Sequence, residues 1–401
     1  MRRPAKRSSL PSAVVIGLDC VTGLQTARIL ARHDIPVIGV AGQPRHFSCR
    51  TRACRTVIPA NTSTEAFIDA LIALGPSLDQ KAVLFPCTDP SVLLISRNRS
   101  RLEPWYHVVL PDPEVVELLI DKTSFYRFAE EHELPIPGTS LLFQRADAEE
   151  AAETFAFPVI LKPPIRTDIW EEQGLAKVYR AFDRSELLEL YDRLAPWTKS
   201  LLVQEWIEGS DRDLYSCNCY YDRDSKPLVT FVARKVRQWR PQAGTSSLGE
   251  ECRNDVVLRA TLELFGGAMF RGLGYLEMKQ DRRTGRHLII EPNIGRPTGR
   301  SAIAEIGGVE LLYTKYCDTV GLPLPESREQ KYGGAKWIYL RHDFQSALYY
   351  WRRKELTLKE WLRSWRGCRT DAVFEWRDPA PFFLDLWSTA RRLVTSRKSS
   401  A

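Results

Sequence analysis

Short apolar runs alternate with amphipathic stretches over roughly the first hundred residues. Ala13–Leu18 reads as an apolar strand. Thr22-Gly23-Leu24-Gln25 has capping-box spacing and opens a helix to about His33. Pro36–Val40 is strand-like. Thr62-Ser63-Thr64-Glu65 caps a second helix to Leu74, and Ala82–Phe85 is the next strand. Strands alternating with helices of about ten residues predict a parallel sheet covered on both faces.

After Asp121 the pattern changes. Asp121–His132 is helical and ends at Leu134-Pro135-Ile136-Pro137-Gly138. A strand at Phe157–Lys162 precedes a polar loop and another strand near Lys177–Arg180. Asp183 and Glu186 cap a helix to about Leu194, and the strand Leu201–Glu205 ends in the turn Glu208-Gly209. Two strands between Asp213 and Val236 flank Asp222-Arg223-Asp224-Ser225. Arg253–Phe270 is a helix, and the strands Gly274–Lys279 and His287–Glu291 flank Thr284-Gly285. Antiparallel hairpins after helix-strand pairs predict an α+β domain behind the α/β one.

The 401 residues exceed the ~250–300 that one core supports, so several domains are expected. The division expected is 1–12, a basic flexible arm; 13–120, the α/β domain; 121–330, the α+β domain with a lid subdomain at about 135–205; and 331–401, an extension. That extension holds six of the eleven tryptophans. Its segments 349–354 and 359–366 read as basic-aromatic amphipathic helices, and the polar tail 388–401 is expected to fray. Its aromatics either pack on the main body or form an interfacial membrane or protein surface.

Charge sharpens this division. The net charge is +7, but Arg2, Arg3, Lys6 and Arg7 supply +4 and residues from Lys331 onward supply +8, leaving −5 for the body. A nucleic-acid binder would carry a basic stripe through its folded body, so no nucleic-acid partner is expected. No apolar run reaches the ~20 residues of a transmembrane span. Val14–Leu18 is cut short by Asp19 and is too brief for a signal sequence, which predicts a cytoplasmic chain. The nine cysteines include no C-x-x-C, and Cys217-x-Cys219 reads as core packing.

A dinucleotide fingerprint after the first strand would need glycines at 17, 19 and 22. Only Gly17 fits, and Asp19 would repel a pyrophosphate. No P-loop is present. The candidate chemistry lies at strand ends instead. Lys162 closes a buried strand, which is costly for an ammonium unless it meets an anion such as a triphosphate; the alternative is a lysine snorkelling at a sheet edge. Glu277 and Glu291 stand on neighbouring antiparallel strands. With Asn293 they form an oxygen set suited to Mg²⁺, although either glutamate alone reads equally as a salt-bridge partner. Between Lys162 and Glu277 in chain order, Gln204-Glu205-Trp206-Ile207 forms a hinge whose backbone suits an adenine edge. A following carboxylate, Asp211 or Asp213, suits ribose hydroxyls.

In order and spacing, Asp121-Lys122, the Lys162 strand, the Gln204–Asp213 hinge and Glu277…Glu291-Pro292-Asn293 resemble the ATP-grasp superfamily, in its carboxylate–amine ligase branch. The resemblance covers about residues 13–325. It implies a Rossmann-like pre-ATP-grasp domain that binds no NAD, followed by an α+β ATP-grasp domain. It implies ATP phosphate contacts from Lys122 and Lys162, and adenine contacts from Glu205 and Ile207 beside Gln204 and Trp206. Mg²⁺, or Mn²⁺, would be held by Glu277, Glu291 and Asn293. Arg296 lies near the family's catalytic arginine, one residue further along than in biotin carboxylases, and Arg300 competes for the role. Arg234 and Lys235 are implied to face the acceptor carboxylate or the γ-phosphate. The phosphate-covering loop departs from the family. Pro163–Lys177 contains only Gly174, and Gln242-Ala243-Gly244-Thr245-Ser246-Ser247 is better suited.

The implied reaction activates a carboxylate as an acyl phosphate, which an amine then attacks, with amino acids or peptides as substrates. A homodimer is one option for assembly. The competing readings are a degenerate ATP-grasp nucleotide-binding module and an NAD(P)-linked oxidoreductase.

Overall fold

The computed structural model describes residues 10–398 apart from 166, 242 and 243; the side chains of 168, 171 and 392–398 are left aside. Most of the expected basic arm, and Gln242-Ala243 of the glycine-bearing loop, lie outside the described residues.

The apolar runs near the N-terminus form a five-stranded sheet in the order Cys54–Pro59, Val37–Ala41, Ala13–Ile16, Ala82–Pro86, Tyr106–His107. The pairs are parallel, and the three central strands are buried throughout. Cys54–Pro59 escapes the hydropathy pattern because it is an edge strand with Arg55 and Thr56 exposed.

Both predicted caps differ in detail. The first helix runs Val21–Arg32 and is capped by Cys20, whose Sγ accepts from Gly23 N–H. Gln25 instead spans the molecule: its Nε2 donates to Gly299 O (2.9 Å) and its Oε1 accepts from Ala302 N–H (3.1 Å). The second helix, Ala66–Leu74, has no side-chain cap; Glu65 accepts from Asn98 and Arg101. A local capping pattern cannot foresee a more distant partner for the same side chain.

Residues 139–205 form a four-stranded antiparallel sheet in the order Thr139–Leu142, Leu201–Glu205, Val159–Lys162, Tyr179–Ala181. The helices Arg145–Thr154 and Arg184–Leu194 close a separate small core around Val159, Leu161, Leu187 and Trp170.

A seven-stranded sheet carries the rest: His287–Ile294, Gly272–Gln280, Leu214–Tyr221, Pro227–Trp239, Thr245–Glu251, Lys336–Ile338 and Cys368–Asp371. One apolar cluster joins Val14 and Ile16 of the first sheet to Leu276 and Ile289 of this one, so the two sheets are packed as one body.

The region from 331 onward is not a separate appendage. Lys336–Ile338 pairs antiparallel with Thr245–Glu251, and Cys368–Asp371 adds a parallel strand beyond it. Glu251 accepts the N–H groups of Tyr332 and Ala335. Asp343, fully buried, takes Arg237 Nε and Nη2 (2.8 and 2.9 Å) and the indole N–H groups of Trp361 and Trp365. Asp378 binds Arg28 Nε (3.0 Å). Removing one partner of a buried ion pair strands the other charge, so these contacts tie the C-terminal region into the fold. Of its tryptophans, Trp337 is 2% exposed, whereas Trp351, Trp376 and Trp387 face outward. Of the segment expected to fray, residues 388–398 continue the helix Ala380–Lys398, and 399–401 lie outside the described residues. Among the described residues no helix is long and apolar enough to cross a membrane.

Candidate active site

The alternation of side chains along antiparallel strands builds the site. Glu277 and Glu291 are direct cross-strand partners in the pairing of Gly272–Gln280 with His287–Ile294. Side chains opposite one another in such a pair share a face with β-carbons about 5 Å apart. Tyr275 and Asn293, also paired, stand on the same face two residues away.

Cations converge on this face from other elements. Lys122, on the helix Lys122–Glu131, reaches Glu291 (Nζ–Oε2 3.9 Å). Lys235, on Pro227–Trp239, reaches Glu277 (3.6 Å). Burial alone would raise the pKa of Glu291, but Lys177, Lys122, Arg296 and Lys162 together outweigh it and hold it down to about 2.

Lys162 is buried. Its Nζ donates to Gln204 Oε1 (3.0 Å) and lies 3.5 Å from Tyr126 O–H, which donates to Ile290 O (3.0 Å). Desolvation, then the nearby Lys122 charge, lowers its pKa to about 7 despite the pull of Glu291. Among the described residues no carboxylate pairs with Lys162 directly. A buried ammonium held by one amide oxygen and one phenol is poised for an added anion.

Arg296 grips the opposite side. Its guanidinium pairs with Asp89, donates to Tyr275 O–H (2.6 Å) and also contacts Asn293 Oδ1. Its pKa is raised: burial would lower it, but Tyr275 and Asp89 prevail. Asp89 comes from the first domain, at the start of the helix Asp89–Arg97 with its Thr88–Ser91 capping box. Gly295 makes the approach possible. Its φ is +70°, and a β-carbon there would lie 2.6 Å from Leu110 and 2.7 Å from Val92.

Arg300 is buried, with no carboxylate partner among the described residues. It donates to the hydroxyls of Ser216 (2.7 Å) and Ser246, and its Nε has no partner among the described residues. Burial lowers its pKa, against a pull from Glu277. Ser216 is the cross-strand partner of Glu277, so Arg300 opens onto the carboxylate face.

Other expected residues do not join this group. Arg234 precedes Lys235 and points to the other face, where it binds Glu250 (2.6–2.7 Å) beside Arg212 and Lys336. Asp211 accepts from Gln238 N–H and Nε2 and from Tyr350 O–H (2.7 Å). Asp213 caps Ser210 and pairs with Arg282 (2.7 Å). Both aspartates are thus engaged in holding the turn. At the hinge, Glu205 N–H bonds Gly138 O and its carboxylate meets Arg283. Ile207 O accepts from Lys279 Nζ (2.7 Å), and Trp206 lies between Arg180 and Lys279 (4.5 and 4.6 Å to its ring centroid).

Tyr126, Tyr275, Asp89, Lys177 and Ser216 escaped sequence reasoning. Only Asp89 left a trace, as the first-turn acid of a capped helix. The carboxylate pair fits a hard divalent cation that shares phosphate oxygens. Asn293 fits less simply, since its Oδ1 faces Arg296 and its buried Nδ2 lacks a partner. Among the described residues no three His, Cys, Asp or Glu side chains gather to hold a metal by themselves.

No protein-family model matches the chain. It is 25% identical over 262 residues to a D-aspartate ligase of Enterococcus faecium (strain Aus0004), covering 61% of each chain. It is 26% identical over 189 residues to a D-alanine–D-alanine ligase of Stutzerimonas stutzeri (strain A1501), covering 44% of this chain and 55% of that protein. The chain therefore spans less than two thirds of the curated relatives it matches. Among solved structures it resembles N5-carboxyaminoimidazole synthetase from Staphylococcus aureus complexed with ADP, with TM-score 0.63, 16% identity and 81% of each chain covered. Biotin carboxylase from Campylobacter jejuni gives TM-score 0.60 and 15% identity, covering 80% of this chain and 74% of that one. The fold is that of the ATP-grasp proteins.

Proposed function

We propose that the chain is an ATP- and Mg²⁺-dependent ligase that activates a carboxylate as an acyl phosphate and joins it to an amine. Glu277 and Glu291, opposed across paired strands and ringed by lysines and Arg296 from separate elements, carry this reading. An oxidoreductase reading has no support from the fold or from Asp19, whose carboxylate follows the first strand and accepts from Gln43 N–H. The named ligases among the relatives support amino acids as substrates on both sides of the new bond.

In this reading Lys122 and Lys162 neutralise the triphosphate, and the hinge at Glu205–Ile207 receives the base. The carboxylate pair would hold Mg²⁺, which supplies charge neutralisation on the transferring phosphoryl group. Arg296, kept charged by Asp89 and Tyr275, stabilises the oxyanion formed when the amine attacks. Arg300 with Ser216 and Ser246 orients a substrate carboxylate. Expulsion of phosphate then completes the C–N bond. Nine free thiols support a reducing, cytoplasmic setting.

The test uses the full chain with ATP, Mg²⁺, a panel of amino acids and hydroxylamine. A hydroxamate that appears with ADP and is lost in Lys162→Met supports the ligase. Nucleotide binding without ADP or hydroxamate across the panel would support the degenerate binding module.

A further inference from the structure

The helix Ala380–Lys398 turns apolar surface outward. Phe383, Leu386 and Trp387 recur at i, i+3 and i+4, which places them on one side, and all three are exposed, Trp387 at 69%. Trp376, just before the helix, is 86% exposed. Ring contacts run from it through Phe374 and Phe382 to Phe383, with centroids 4.8, 5.2 and 5.7 Å apart. A continuous patch of this kind marks an interaction surface.

Charge sorting indicates the partner. The acids of this segment turn inward: Asp378 is taken by Arg28, Thr51 and the Arg52 N–H, and Asp385 by Tyr339 and Arg341. The helix packs against the turn Phe47–Arg50. Around that turn Arg45, Arg50, Arg52 and Arg55 are exposed, and residues 35–64 contain no Asp or Glu. An aromatic and aliphatic ridge thus stands beside an arginine-rich collar, at whose edge the Asp19 carboxylate is taken by Gln43 N–H.

We propose that this face docks on an anionic lipid bilayer. The ridge enters the boundary between headgroups and acyl chains, and the arginine collar meets lipid phosphates. Two copies meeting through this face would bring their collars together, and a nucleic acid has no use for Leu386. The inference is independent of the ligase reading.

The full chain would be floated with vesicles of phosphatidylcholine alone and of phosphatidylcholine mixed with phosphatidylglycerol, at low and high salt. Binding is expected to the mixed vesicles only and to weaken with salt. Phe383→Ser with Trp387→Ser should lower it at least about tenfold. Arg45→Gln with Arg50→Gln should lower it several-fold, with unfolding temperature and ADP formation unchanged in both variants. Equal flotation of wild type and variants, or no flotation with either vesicle, would overturn the proposal. So would a dimer that Trp387→Ser dissolves, or retention on nucleic acid in place of vesicles.

Discussion

The hinge and the carboxylate pair are both acidic and both suited to a nucleotide by composition, the first on a turn between strands and the second within two paired strands. In the fold they differ in who answers their charge. Asp211 and Asp213 are answered by neighbours that shape the turn: Gln238, Tyr350, Ser210 and Arg282. Glu277 and Glu291 are answered at 3.6–3.9 Å by lysines from distant elements. Short, fully satisfied bonds make a carboxylate structural. Longer contacts with an excess of surrounding cations leave room for a ligand to enter.

The largest expected effect falls on the hinge's support. Ending the chain at 330 removes Tyr350 from Asp211, Asp343 from Arg237 and the strand paired with Thr245–Glu251, leaving buried charges alone. That variant should fail to give a cooperative thermal transition. A folded, ATP-binding truncation would show the C-terminal strands to be dispensable.

Glu291→Gln should next reduce ADP formation by about 10²–10³-fold while keeping the fold. If turnover drops no more than for Asp213→Asn, the contrast between the two acid groups fails.

Lys162 sharpens the comparison through pH. Its folded pKa of about 7 lies below the unfolded value of ~10.4, so the unfolded chain binds more protons between these limits. Stability of the ligand-free protein should therefore rise with pH across that window, and ATP affinity should fall as pH climbs past about 7. Lys162→Met should flatten the affinity profile. It should only reduce the stability slope, because Lys315, buried on Leu84 O, adds a slope of the same sign. Equilibrium denaturation and nucleotide titration over pH measure both.

Asp211→Asn should cost about 2 kcal/mol of stability with a smaller change in ATP affinity. A tenfold loss of affinity without destabilisation would make Asp211 a ribose ligand after all. Arg234→Gln, on the far face, should change turnover less than about twofold.

Lys162, Glu277 and Glu291 were legible because each ends or occupies a buried strand where a charge needs an explanation. The bulge between Glu277 and Met278 shifts the register by one residue, so that Glu277 pairs with Glu291 and not with Ile290, which no count along the hairpin foresees. Lys122 and Lys235 entered through family likeness, and the structure brings both to the carboxylates. Arg234 was misjudged because adjacent strand residues point to opposite faces, and only one of the pair could serve. Lys177 and Ser216 were invisible and Asp89 showed only as the first-turn acid of a helix, since each reaches the site from elsewhere in the chain.

Local periodicity and strand-end charges, which depend on neighbours within a few residues, determined the alternation of strands and helices, the parallel first sheet and the choice of Glu277 and Glu291. Tertiary structure alone decided which carboxylates are spent on the scaffold, that the C-terminal strands complete the central sheet, and that Arg296 is locked by Asp89. Those outcomes depend on which charges meet across hundreds of residues. Burial sets the cost of leaving such charges unpaired, and no local pattern records it.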